Sequence, residues 1–76
     1  MMVESKLIEA NRDVLGGTPV FAGTRVPVQI LFDYLQADHR LDDFLGDFPT
    51  VSREQATSLL EALKLILLSR IYERVA

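Results

Sequence analysis

The sequence predicts a mainly α fold: a three-helix, helix-turn-helix core preceded by a short N-terminal β-hairpin and closed by a long C-terminal helix. Three observations predict it. Most of the glycine and proline punctuation falls between Gly16 and Pro27, where turns and short strands are expected. After Pro27, apolar residues return at helical spacing in three successive segments. Between the last two, Pro49-Thr50-Val51 forms a short connector of the kind that joins the helices of such a unit.

From Leu7 to Val28 the chain alternates turn signals with short apolar runs, Thr18-Pro19-Val20-Phe21 and Thr24-Arg25-Val26 around Ala22-Gly23. This reads as a hairpin. Gly23 is the natural residue for a positive φ in its turn, and Pro19 belongs at a strand edge or start because it lacks a donor. Arg25 is the one charge in the hairpin. A structural role is expected for it, bridging strands and helix through Asp33 or Asp13, because a guanidinium offers several donors at once; the alternative is that it faces a partner.

Pro27 suits the first turn of a helix, since its missing N–H would be unpaired there. That helix is predicted to run to about Gln36, with Val28, Leu31 and Leu35 as its stripe, Tyr34 widening it, and Ile30 and Phe32 flanking it. Next, Leu41, Phe44, Leu45 and Phe48 fall at i, i+3, i+4 and i+7, with Asp42, Asp43 and Asp47 outside; Pro49 stops the helix. Ser52 and Gln55 then make a capping-box pattern.

The third helix is predicted from Arg53 to about Glu73, roughly 30 Å at 1.5 Å per residue. In its first half Ala56, Leu59, Leu60, Leu63, Ile66 and Leu67 form the core face, opposite Glu54, Thr57, Ser58 and Glu61. Beyond Lys64 the pattern changes, because Leu65, Leu68 and Tyr72 occupy the side that had been polar. A helix apolar nearly all round must be covered on several sides.

At 76 residues the chain is expected to be one domain, with strands and turns over 1–26 and a helical core over 27–76. Folding at this size removes only roughly 60% of the unfolded chain's surface. Disulfides are excluded because cysteine is absent, and His39 is the one histidine. The remedy left is a partner subunit. Leu65, Leu68, Ile71 and Tyr72 are therefore the predicted partner or dimer interface; burying Leu65, Leu68 and Tyr72 contributes about 1.5 to 3 kcal/mol each before ordering costs. The competing expectation is that this helix folds back on the hairpin.

A cytoplasmic setting is expected, since cysteine is lacking and Glu4 and Glu9 interrupt the apolar residues of Met1 to Asn11. The longest apolar run, Leu65 to Leu68, is far below the ~20 residues a membrane span needs. The net charge of −3 gives no long-range attraction to nucleic acid.

In a helix-turn-helix unit the start of the last helix enters the major groove, which nominates Thr50, Ser52, Arg53 and Gln55 for DNA contact. Arg53 suits guanine or phosphate, and Gln55 suits adenine. The carboxylates Asp42, Asp43, Asp47, Glu54 and Glu61 oppose this, leaving Arg53 and Gln55 as solvent and cap residues on the alternative reading. His39, Asp42 and Asp43 have a spacing compatible with metal binding, but acids at a helix start are favoured by the helix dipole alone. Gly16-Gly17-Thr18 and Gly23-Thr24-Arg25 lack the context of phosphate loops and read as turns. With no cysteine nucleophile, no second histidine and no serine beside a base, no enzyme activity, cofactor or small-molecule substrate is expected.

The run Leu15-Gly16-Gly17-Thr18-Pro19-Val20-Phe21-Ala22-Gly23-Thr24-Arg25-Val26-Pro27-Val28, with Leu41-Asp42-Asp43-Phe44-Leu45 and Phe48-Pro49-Thr50-Val51-Ser52-Arg53-Glu54-Gln55-Ala56, resembles the domain-of-unknown-function 433 family over nearly the whole chain. The resemblance implies a homeodomain-like three-helix core and an antitoxin-like protein often encoded beside a PIN-like nuclease toxin. By it, the chain would bind and silence that nuclease, with operator DNA as a further partner; the alternative is a stand-alone homodimeric regulator. Three positions depart from the family pattern. Ala37 replaces a helix-ending glycine, Arg40 a capping serine, and Gly46 a charged helix former, each costing about 0.5 to 1 kcal/mol.

Overall fold

The structure is a computed structural model and describes residues 7–75. The strand-and-turn expectation over residues 1–6, and that part of the Met1 to Asn11 reading, lie outside the described residues. The elements are β1 (Ile8–Glu9), a single 3-10 turn at Leu15–Gly17, β2 (Val20–Phe21), α1 (Val28–Gln36), α2 (Leu41–Asp47) and α3 (Arg53–Val75). The mainly α architecture, with a short antiparallel hairpin at one end and a long helix at the other, is the one the sequence predicts.

The sheet differs in its partners. β2 pairs antiparallel with β1, matching Ile8 with Phe21 and Glu9 with Val20. The expected reversal through Ala22-Gly23 is also present: the Phe21 N–H donates to the Val26 carbonyl at 3.0 Å and the Thr24 N–H to the Phe21 carbonyl at 3.0 Å. Beyond it, only a bridge between Val20 and Pro27 follows. Gly23 has φ +76°, a backbone state open to glycine at little cost. The turn is held from two other elements, because the Gly23 N–H donates to the Glu9 carboxylate at 2.6 Å and the Gln55 amide nitrogen donates to the Ala22 carbonyl at 2.9 Å.

Pro27 sits one position outside α1, at its N-cap with φ −61° and ψ 137°, a correction to its expected place in the first turn. α1 ends with Asp38 in the left-handed region at φ +71°, while Ala37 keeps φ −87°. The missing glycine therefore matters less than expected. The left-handed residue is one position later, and aspartate tolerates that conformation better than most residues. At α2 the Asp43 carboxylate accepts from the Arg40 N–H at 2.9 Å, supplying half of a reciprocal cap that the arginine side chain, a donor only, cannot complete.

The core is small. Phe21, Val26, Leu31, Phe44, Val51, Ala56 and Leu59 form one buried cluster, with Ile8, Val28, Ile30, Phe32, Tyr34, Leu41, Leu45, Phe48 and Leu60 packed around it. Aromatic edges join α1 to α2, since the Tyr34 ring meets those of Phe44 and Phe48 edge-on at 5.6 and 5.9 Å. Tyr34 also donates its hydroxyl proton to Asp47 at 2.6 Å. That bond, aided by desolvation, raises the phenol's pKa above its ordinary value of 10.0. Leu35, expected in the stripe, is exposed instead.

α3 starts as the sequence predicts. The Gln55 N–H donates to the Ser52 hydroxyl and the Ser52 N–H to the Gln55 amide oxygen, both at 3.0 Å. The helix contributes only Ala56 and Leu59 to the fully buried set. At 23 residues it is about 35 Å long by its rise per residue, and the longest extent of the molecule is 41 Å, so its far half projects past the core.

Candidate functional site

The projecting half of α3 carries most of the exposed large apolar side chains of the described residues. Leu65 is 46% exposed, Leu68 39%, Ile71 47% and Tyr72 69%. The helix does not fold back on the hairpin, which removes that reading. Leu63 and Leu67, expected in the core, are also outside it at 45% and 58% exposed. The periodicity of the apolar face continues correctly along the helix, but the body it should cover ends near Leu60.

At about 100° per residue these side chains fall on two strips. Leu65, Leu68, Tyr72 and Val75 make one. Leu63, Leu67 and Ile71 make the other, roughly 120° away around the helix by the same count. The second strip continues the line of Ala56 and Leu60; Lys64 and Arg70 border it and Arg74 falls within it by the same count, all three exposed. A surface depression of about 330 Å³ lies on it, lined by Leu67, Arg70, Ile71, Glu73 and Arg74. Lys64 pairs with Glu61 at 3.2 Å.

The segment proposed for DNA contact has its side chains occupied differently. Gln55 is half-buried and uses both ends of its amide within the protein, one in the cap and one on the Ala22 carbonyl. Ser52 holds the cap. Arg53 binds Asp42 of α2, and Arg40 approaches the same carboxylate at 3.5 Å. The bond from Arg53, with its charge, holds the Asp42 carboxyl below its ordinary value of 3.8. Thr50 is exposed. The four residues are thus adjacent, but Ser52 and Gln55 already serve the helix start and Arg53 is paired with α2.

Arg25 corrects the expectation placed on it. It is exposed, and among the described residues its guanidinium meets neither Asp13 nor Asp33, nor any other carboxylate within salt-bridge distance. The hydrogen bonds it was expected to supply come from Gln55, Glu9 and Thr24, whose hydroxyl donates to the Phe21 carbonyl at 2.8 Å and accepts from the Val26 N–H at 3.0 Å. Nor do His39, Asp42 and Asp43 converge: His39 faces Asp43 at 3.8 Å, whereas Asp42 turns to the arginines. Among the described residues no cluster of three such groups is placed to hold a metal, and no helix is long and apolar enough to cross a membrane.

One exposed residue had no sequence signal beyond its neighbours. Leu15 has φ +51° and is 52% exposed, at the head of the Gly16-Gly17 turn. The two glycines at φ +67° and +96° explain the turn's glycine content, but the leucine's own presence there has no account in the structure.

Comparison with known proteins places the hairpin, α1, α2 and the start of α3 in one family segment. An uncharacterized protein, y4eO, from Sinorhizobium fredii (strain NBRC 101917 / NGR234) is 36% identical over 50 residues, which is 66% of this chain and 23% of that protein. The chain therefore spans less than a quarter of that relative's length. No solved structure matches. The family model for a protein of unknown function (DUF433) matches residues 8–61, ending where the projecting half of α3 begins. On that match, spanning both turns of the hairpin and the capping box of α3, the chain belongs to the DUF433 family.

Proposed function

We propose that this chain is an antitoxin-like interaction protein: it pairs with a second polypeptide through the projecting half of α3 and thereby neutralises a PIN-like nuclease toxin. The observation that carries the interaction reading is the exposure of Leu65, Leu68, Ile71 and Tyr72 on a stretch of helix that lies outside the core formed by the described residues. A contiguous apolar patch of this kind on a small protein is characteristic of a binding surface. The nuclease as partner rests on the resemblance stated above. Self-association along Leu65, Leu68 and Tyr72 is compatible with the same protein, because that strip contains no cation.

Co-expression tests it directly. The chain is expected to rescue growth suppressed by a nuclease encoded beside it, and Leu65→Asp with Leu68→Asp to abolish rescue. Normal rescue by that double variant would remove the strip from the interface. The stand-alone regulator reading draws on the exposure of Thr50, Ser52 and Arg53. It is opposed by the occupied side chains of Arg53 and Gln55 and by the acids around them, since affinity for DNA needs several free phosphate contacts. Titration of the gene's own upstream DNA at two salt concentrations is expected to give no specific binding by the chain alone; tight, salt-dependent, sequence-selective binding would favour the regulator.

A further inference from the structure

We propose that the second strip of α3, Leu63, Leu67 and Ile71 with Arg74 at its far end and Lys64 and Arg70 at its borders, is a docking site for an amphipathic partner helix whose apolar stripe is flanked by carboxylates. The inference rests on the interaction reading above and names the chemistry of the partner. Apolar knobs at three- and four-residue spacing fit a helix laid alongside, and the flanking charges decide which helix is accepted. Three exposed cations lie on or beside this strip, against Glu73 in its depression and the Glu61 paired with Lys64, so its local charge is positive by one although the chain as a whole carries −3.

The same charges exclude the other occupants. A second copy laid antiparallel about Leu67 would set Lys64 opposite the Arg70 of that copy, and a parallel copy would set each cation beside its own equivalent. Like charges across an interface are repelled. An anionic bilayer surface requires one apolar face and one strongly polar face, whereas this helix has two apolar strips and would leave Leu65, Leu68 and Tyr72 in water. Nucleic acid has no use for the leucines between the cations.

The test uses the full chain and two synthetic helical peptides of roughly four heptads with leucine at a and d, one with glutamate and one with lysine at e and g. Isothermal titration is expected to show the glutamate peptide binding at least tenfold more tightly, with that preference shrinking as salt is raised. Arg70→Glu with Arg74→Glu should invert the preference, and circular dichroism should show the variant as helical as the parent, since both positions are exposed. Equal affinity for the two peptides, binding of neither, or binding only to phosphatidylserine vesicles would overturn the proposal. Leu65→Asp with Leu68→Asp lies on the other strip and should leave the glutamate-peptide preference in place. Its failure to block growth rescue would therefore count against the interface of the proposed function without touching this one.

Discussion

Gln55 joins three pieces of the molecule: its amide oxygen caps α3, its amide nitrogen holds the Ala22-Gly23 turn, and its backbone begins the long helix. Gln55→Ala is expected to lower stability by about 1 to 2 kcal/mol through loss of the cap and an unsatisfied turn carbonyl, which urea unfolding will measure. Arg25→Ala, with no salt bridge to lose among the described residues, is expected to change stability by no more than about 0.5 kcal/mol. Gly46 marks the opposite case. A Cβ at that helical position would meet nothing within 4 Å, so Gly46→Ala should stabilise the protein by about 0.5 to 1 kcal/mol, read as a higher melting temperature. The two shifted acids give a pH dependence of opposite senses. The lowered Asp42 contributes stability above its ordinary value of 3.8 and loses it as pH falls through the folded value; the raised Tyr34 contributes below 10.0 and loses it as pH rises through its own. Asp42→Asn should flatten the acid limb of a stability-against-pH curve and leave the alkaline limb unchanged.

At the scale of elements, α3 divides into a supported half and an unsupported one. Its first turns are fixed by the reciprocal cap and by Ala56 and Leu59 in the core. Among the described residues its last turns are held by their own backbone bonds and the Lys64–Glu61 pair, and isolated helices of that length are marginal in water. Amide exchange over residues 63–75 is expected to be fast at low protein concentration and slower as concentration rises. Equal rates at all concentrations would mean that no second copy of the chain covers the segment. The division also explains what the sequence could and could not convey. Apolar spacing located all three helices within two residues, because periodicity and caps are local properties. The same spacing put Leu63 and Leu67 in the core, because it reports which face is apolar and not where the neighbouring body ends. Arg25 shows a related limit: a guanidinium among apolar residues suggests a bridge, but the turn's hydrogen bonds come from Glu9 and Gln55, distant in sequence and without a local pattern. The Ser52 and Gln55 cap was legible, while the second bond from Gln55 to Ala22, across 33 positions, was not.

The whole molecule has a core too small for its longest helix. Seven buried side chains gather around Phe21, Leu31 and Phe44, and domains of this size seldom hold more than about 3 to 5 kcal/mol from one core. Leaving Leu65, Leu68, Ile71 and Tyr72 in water forgoes stabilisation of comparable size, by the area bookkeeping for single apolar side chains. On the function proposed, association would also cover what the core cannot, and stability should rise with protein concentration. Sedimentation of the full chain at micromolar concentration, beside the variant carrying Leu65→Asp and Leu68→Asp, measures this most directly. A dimer or larger species for the parent and a folded monomer for the variant is the predicted result. A parent that sediments as a stable, folded monomer throughout that range would contradict the account.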